Sequence, residues 1–330
     1  MKRIGITGIS GSLGEALTKA LAPGGVVVGI SRDELKAERV MALHANVRCA
    51  VVAAGLQDEA TMRRAFDGCD VLIHAAALKR ISGSVYATQE LVKTNVIGTM
   101  TILRVARDIG VKKVVVISSD KAVEATNLYG ASKFCAEAVA IQENAFSYPK
   151  GTHVVAVRYG NVLGSRGSVV HFWRDQLRRG LPLSVTHADM TRFIMPMDHA
   201  VELIVDAVRV GEAGEVLVPE LPCARIIDLA TAVLWEQGKG SLPVHISGLR
   251  PGGEKMHEKL LSHEEVSRTW RHASGHWAIV PSHQTWCAQP VRNAVDLFDR
   301  PSYASDQAPF LTVPELVEYL SDVPGRPAHE

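Results

Sequence analysis

The sequence carries almost no charge excess. Its 36 Lys and Arg face 35 Asp and Glu, a formal net charge of +1. No global field therefore points to nucleic acid or to an anionic membrane as a partner. Long uncharged apolar runs are missing too. The stretch 20–31 is short and is broken by Pro23, Gly24 and Gly25, too little for a membrane span. Cysteine is scarce and scattered. Cys49, Cys69, Cys135, Cys223 and Cys287 are odd in number and lack metal-ligand spacing, which suits reduced, mostly buried thiols in a cytoplasmic protein. Strand-like residues begin almost at Met1, so no secretory leader is expected. Repeats and low-complexity segments are lacking as well. What remains is length and apolar content: 330 residues, 47% hydrophobic, enough for a sizeable core.

The first half alternates short apolar runs with helical stretches. The runs are 3–8, 26–31, 47–53, 70–77 and 113–119. Helical spacing occupies 12–22, 33–44, 58–66, a long stretch around 88–109, and a segment from about Asn127. Apolar runs of this length between helices mark parallel strands buried on both faces. The expected fold class is α/β, a doubly wound parallel Rossmann sheet with a smaller C-terminal substrate lobe. Residues 1–165 are expected to form the dinucleotide domain, with elements returning from later segments, and 166–330 mainly the substrate lobe. After 152–162 the rhythm loosens, with helices near 168–179, 198–210 and 226–237. From about 266, Trp270, Trp277 and Trp286 accompany His272, His276 and His283. Ser274 and Gly275 interrupt the one His pair at helical spacing, so a lobe of packed aromatics is expected there rather than a metal site.

The first strand runs into TGISGSLG. Gly8, Gly11 and Gly14 stand between strand and helix, where glycine permits a tight turn, close approach to a pyrophosphate and helix-on-strand packing. Ser10, Ser12 and Leu13 belong to the same loop. The second strand ends in Ser31 and Arg32, followed by Asp33. A hydroxyl and a guanidinium suit a 2′-phosphate, which favours NADP over NAD; the plainer alternative is a surface Arg32 with Asp33 capping a helix.

Tyr129 and Lys133 lie four residues apart and share a helix face. An ammonium close by stabilises a phenolate, which takes the proton of an alcohol while hydride leaves its carbon. Ser119 is placed to hydrogen-bond the same hydroxyl. Asp120 and Lys121, just before, are an acid and an amine that simple alcohol oxidation does not need.

The words HAAALK (74–79), KTNVIGT (93–99), SSDKA (118–122), NLYGASK (127–133), RYGNVLGSRGSV (158–169), MTRFIM (190–195) and RPGGEKMHEKL (250–260) follow in order. With TGxxGxxG and YxxxK they resemble the extended short-chain dehydrogenases/reductases. Within that family they are similar to the inverting UDP-N-acetylglucosamine 4,6-dehydratases. The resemblance covers roughly 1–265 and, more loosely, 309–320. It implies C4 oxidation by Tyr129, C5 proton removal by Lys121, protonation of the leaving 6-hydroxyl by Asp120, hydride return to C6 and inversion at C5. For an amine to act so, a dry pocket or a cation must lower its pKa. Ala75, Ala76 and Asn95 join the cofactor site. Lys79, Asn161, Arg166, Arg192 and Arg250 are expected at the UDP-sugar, the arginines as phosphate or uridine contacts, and Glu258 at a ribose. A homo-oligomer, dimer or hexamer, is also implied.

Three departures bear on substrate. Gly55 replaces a usual Asp near the adenine, the stretch 81–88 differs from the family's pattern, and Gly253 is an extra residue. Two alternatives stay open: a nucleotide-sugar 4-epimerase or 5-epimerase on the same fold, and a non-catalytic NADP-binding sensor.

Overall fold

The computed structural model describes residues 2–52, 55–79, 87–147, 151–240, 242–272, 274–282, 299–307 and 309–325. His283, Trp286, Cys287 and most of the departing stretch 81–88 lie outside them. The core is a nine-stranded sheet. Its central strands are β1 (Lys2–Thr7), β2 (Gly25–Ser31), β3 (Val47–Val51), β4 (Val71–His74), β5 (Lys113–Ile117) and β6 (His153–Val157). The spatial order is 3-2-1-4-5-6, continued by β10 (Val216–Val218) and the edge strands β15 (Trp277–Ile279) and β14 (Thr269–Arg271). Every neighbour from β3 to β10 is parallel. The order reverses between β1 and β4, so both strands open into one crevice, where ligands bind in such sheets.

The strand residues explain the layering. Alternate positions of β5 bury on opposite faces: Val115 and Ile117 pack in one cluster, Val114 and Val116 in the other. The first face is covered by α1 (Ser12–Leu21) and α8 (Met197–Val210) through Leu17, Leu203 and Ile204. The second is covered by α3 (Glu59–Phe66), α5 (Gly98–Asp108) and α6 (Leu128–Ser147) through Phe66, Ile102 and Ala140. Each buried Leu, Ile or Phe of these faces stabilises the fold by about 1.5–3 kcal/mol. The remaining helices of this half are α2 (Glu34–Met41) and α4 (Thr88–Val92). Side-chain caps start α2 and α3, where Asp33 and Asp58 accept from Lys36 N and Thr61 N.

A third cluster lies in the second half, among α7 (Val169–Arg178), α9 (Ile226–Glu236) and α11 (Val313–Ser321), around Trp173, Val233 and Leu316. Smaller sheets accompany it: β11 (Cys223–Arg225), β9 (Thr191–Met195) and β7 (Asn161–Val162) form one; β12 (Val244–Ile246) and β8 (Leu183–Val185) another; β13 (Lys259–Leu261) and β16 (Tyr303–Ala304) a third. A short helix, α10 (His263–Val266), follows β13. No helix among the described residues is long and apolar enough to cross a membrane.

Two expectations need correction. The helix expected across 88–109 is interrupted by a π turn at Lys93–Ile97, which carries the buried Asn95; such turns concentrate at functional sites. The aromatic segment after 266 is no lobe of its own. Trp270 and Trp277 stand in β14 and β15, which extend the main sheet, because aromatic and β-branched side chains fit a pleated, half-buried surface. Arg271 lies over the Trp277 ring opposite it.

His74, at the end of β4, ties three elements together. Thr99 Oγ1 donates to Asn95 O, so His74 Nε2–H donates to Thr99 Oγ1 at 3.0 Å and Nδ1 accepts from Thr7 Oγ1 at 2.7 Å. The ring is therefore neutral. Burial, helped by the Lys133 ammonium, pushes its pKa down from 6.5 to about 3. Only the unfolded chain takes this proton below pH 6.5. Stability from this group is thus complete above 6.5 and falls by about 1.4 kcal/mol per unit as the pH drops towards 3. Urea unfolding between pH 7 and about 4 is expected to show this slope, and His74→Gln to flatten it.

Candidate active site

One wall of the crevice is the glycine loop. Gly8 has φ +70, and a Cβ on it would lie 2.9 Å from both N and Cα of Ala76. Backbone packs on backbone there, so any side chain would force β1 and β4 apart. Ala75 N donates to Thr7 O and Ala76 N to Thr7 Oγ1, which fixes the exit of β4. Helix α1 follows Gly11 with no side-chain cap. The N–H groups of Ser12, Leu13 and Gly14 thus have no partner within the helix and suit an anion. Ser10 and Ser31 join their hydroxyls at 2.9 Å, linking the loop to the end of β2. Arg32 beside them is exposed, while Asp33 is the helix cap.

The other wall grows from β5. Beyond Ile117 the chain stays in register with the segment after β6: Ser118 N donates to Val157 O and Asp120 N to Tyr159 O. A 3-10 turn at Asp120–Ala122 then leads to α6, whose first turn is held by Asn127 Oδ1 accepting from Gly130 N. A Cβ on Gly130 would stand 2.3 Å from the Lys121 carbonyl. Glycine beside Tyr129 is what lets the helix lie directly on the Asp120–Lys121 turn.

Asp120 is wholly buried. Its Oδ1 accepts from Ser119 Oγ at 2.8 Å and Lys121 Nζ at 2.9 Å. Its Oδ2 is buried and has no hydrogen-bond partner among the described residues. Lys121 Nζ also lies 3.3 Å from Asn161 Oδ1 and 3.6 Å from Glu258 Oε1. Burial works against the Lys121 charge, but the Asp120 and Glu258 carboxylates outweigh it and hold the pKa above the usual lysine value. That corrects the expectation of an amine with a lowered pKa: in this state Lys121 is an ammonium. Burial raises the Tyr129 pKa, and the cation that opposes it is Lys121. Lys133, expected in that role, instead donates to the Ile117 carbonyl, and burial pushes its own pKa down to about 8.

The remaining expected residues divide. Asn161 and Glu258 are brought to Lys121. Lys79 is exposed and reaches Ser165 Oγ at 3.4 Å. Arg166 turns to the cofactor wall, with its N–H on Ser12 Oγ and its guanidinium on Glu15. Arg192 is buried and donates to the carbonyls of Thr191, Lys255 and Met256. It fastens the 250–258 segment to β9: its described hydrogen bonds go to backbone and Glu254 Oε1 lies 3.6 Å from it, so the fork is not left open for phosphate. Arg250 is exposed and paired with Glu254. Asn95 spends Oδ1 and Nδ2 on the backbone of Leu78 and on Ser132 Oγ; it positions the wall rather than offering free polar atoms to a cofactor. The extra Gly253 presents its carbonyl to Thr126 and Asn127, just before Tyr129. Lys255, which sequence reasoning passed over, lies 3.4 Å from Glu258 Oε2. Its only sequence signal is the clustering of charge in EKMHEK.

Residues 4–279 match the family described as polysaccharide biosynthesis protein. A Methanocaldococcus jannaschii protein named as an uncharacterized membrane protein is 37% identical, covering 80% of this chain and 82% of its own. The UDP-N-acetylglucosamine 4,6-dehydratase (inverting) of Campylobacter jejuni is 35% identical over 85% of this chain and 83% of that one. A UDP-glucose 4-epimerase of Rickettsia conorii is 34% identical over 81% and 80%. Among solved structures, that of Pen from Bacillus thuringiensis superposes with a TM-score of 0.87 at 28% identity, covering 98% of this chain and 97% of the other. With its doubly wound sheet, glycine loop and Tyr129–Lys133 pair, the chain belongs to the polysaccharide biosynthesis protein family of extended short-chain dehydrogenases/reductases.

Proposed function

We propose that the protein is an NADP-dependent inverting 4,6-dehydratase that converts UDP-N-acetylglucosamine into a 4-keto-6-deoxy-L-sugar nucleotide. The observation that carries this reading is the acid–amine contact beside the oxidising tyrosine, Asp120 Oδ1 to Lys121 Nζ at 2.9 Å. The glycine cradle, the uncapped start of α1, Ser31 and Arg32 fit the cofactor, and Lys133 fits its nicotinamide riboside. When bound, NADP supplies a hydride acceptor and, later, a donor. Asn161 and Arg250 are the contacts proposed for the UDP end.

Tyr129 removes the proton of the sugar 4-hydroxyl, with Ser119 as its hydrogen-bond partner. The resulting C4 ketone acidifies the C5 proton. One proton on the Asp120–Lys121 pair then serves both halves of the elimination. Passed from Lys121 Nζ to Asp120 Oδ1, it leaves an amine and a carboxylic acid. The amine takes the C5 proton as the C6–O bond breaks. The carboxyl proton joins the departing oxygen, and water leaves. The pair is again ammonium and carboxylate, the state of the structure.

The epimerase relative supports a second reading, C4 epimerisation without loss of water. Lys121→Arg separates the two. Arginine keeps a cation beside Tyr129 but does not deprotonate in proteins. The wild type is expected to release a product one water lighter than UDP-N-acetylglucosamine, and Lys121→Arg to lose this by at least about 100-fold. An epimerase would keep turning over in the variant and give a product of unchanged mass. For the cofactor, Arg32→Glu is expected to weaken NADP binding by about tenfold or more and to strengthen NAD binding, read by fluorescence titration of the reduced dinucleotides.

A further inference from the structure

We propose that Glu258 and Lys255 set how readily Lys121 gives up its proton, so that Glu258 is a positioning residue of the elimination rather than a ribose ligand. This rests on the dehydratase reading above. The groups form a row of alternating charge: Asp120, Lys121, Glu258, Lys255. Consecutive contacts are 2.9, 3.6 and 3.4 Å. The side chains of Asp120 and Glu258 are 0% and 4% exposed, those of Lys121 and Lys255 18% and 13%. A carboxylate this buried keeps its charge only when cations hold it, and among the described residues the cations paired with Glu258 are these two lysines. Its place is set by backbone as well. Ser305 Oγ accepts from Glu258 N, and Ser305 N donates to Glu258 O. Lys255 is fixed in turn by a bond to the Val123 carbonyl at 2.6 Å. Beyond it lies a cavity of about 470 Å³ lined also by Glu124, His257, Lys259 and Asp306, so the row runs from the buried acid to the edge of an open space.

The consequence concerns the amine. Lys121 acts on C5 only after its proton has moved to Asp120, and each carboxylate facing Lys121 resists that loss of positive charge. Asp120 must be one of them, since it takes the proton. Glu258 is the second, and it favours the ammonium between turnovers. Lys255 offsets Glu258 and prevents the ammonium from being held too firmly. The other groups facing Lys121 are Arg192 from β9, which favours the amine, Tyr129 from α6 and Asn161 from β7. A ribose ligand would instead present its carboxylate to a neutral hydroxyl, with no need for two buried ammonium groups.

The test is the pH dependence of kcat for water loss in wild type, Glu258→Gln and Lys255→Met. Glu258→Gln is expected to move the fall of kcat at high pH, where the Asp120–Lys121 pair loses its one proton to solvent, to lower pH by about one unit, and Lys255→Met to move it to higher pH. KM for the UDP-sugar stays within about twofold in both. Opposite displacements are a signature that simple loss of structure does not produce. The proposal is overturned if the high-pH fall stays in place in both variants, if both move the same way, or if Glu258→Gln raises KM with kcat and its pH profile unchanged. A carbon-13 titration of the Lys121 ε-carbon, assigned through Lys121→Arg, needs no turnover. If the wild type releases no dehydrated product, the dehydratase reading fails. The Lys121 titration midpoint then still decides the charge coupling: lower in Glu258→Gln and higher in Lys255→Met, or unmoved and the coupling refuted.

Discussion

A buried guanidinium holds the two halves of the site together. Arg158, just past β6, is 1% exposed. It bonds to both carboxylate oxygens of Glu137 on α6, to Glu265 on α10 and to the carbonyl of Leu260 in β13. Burial works against its charge, but the two carboxylates outweigh it and raise its pKa. Glu137 is one helical turn beyond Lys133. The Arg158 bonds therefore set the helix that presents Tyr129 and Lys133 against the segment that presents Glu258. An ion cluster of this kind adds little net stability over an apolar core, yet losing one member leaves uncompensated buried charge. Its worth lies in geometry: residues far apart in sequence reach one locus.

The charge row at the site depends on that placement. Alone, Asp120 and Lys121 are neighbours at a strand end, and such pairs are commonly solvated. Here Gly130 brings α6 onto their backbone, and the 250–258 segment closes over them, fastened by Arg192 to β9 and by the Gly253 carbonyl to Thr126 and Asn127. A buried carboxylate and a mostly buried ammonium are then hydrogen-bonded beside Tyr129. Burial makes this contact stronger than the same pair in water, so neighbouring charges, not bulk solvent, govern which group holds the proton.

Much of this was legible in the chain. Buried parallel strands announce themselves as short apolar runs, because both faces are covered and polar alternation is lost. Gly8 and Tyr129–Lys133 are equally local, since a turn and a helix face are set by spacing alone. What sequence could not supply was partnership across long separations. By spacing Lys133 is the cation for Tyr129; in the fold its ammonium donates to the Ile117 carbonyl, and Lys121 is the cation that opposes the effect of burial on Tyr129. Arg166, Arg192 and Arg250 look alike in a sequence. Only the fold shows that one joins α1, one donates to backbone carbonyls and one, itself exposed, pairs with the buried Glu254 carboxylate. Arg158 carried no distinguishing signal and Lys255 only the charge clustering of EKMHEK, because a basic residue paired inside a protein has the same letter as one in solvent. Edge strands β14 and β15 escaped for a related reason: three residues each give too little periodicity to see.

The proposed reaction turns on one event, removal of the C5 proton by a lysine that shares its proton with the leaving-group acid. Its most direct measurement is the isotopic and stereochemical state of C5 after turnover of UDP-N-acetylglucosamine in deuterated water. A 6-deoxy product carrying deuterium at C5 in the L configuration is predicted. A product with its 6-hydroxyl intact, or a 6-deoxy product retaining protium and the D configuration at C5, would contradict it.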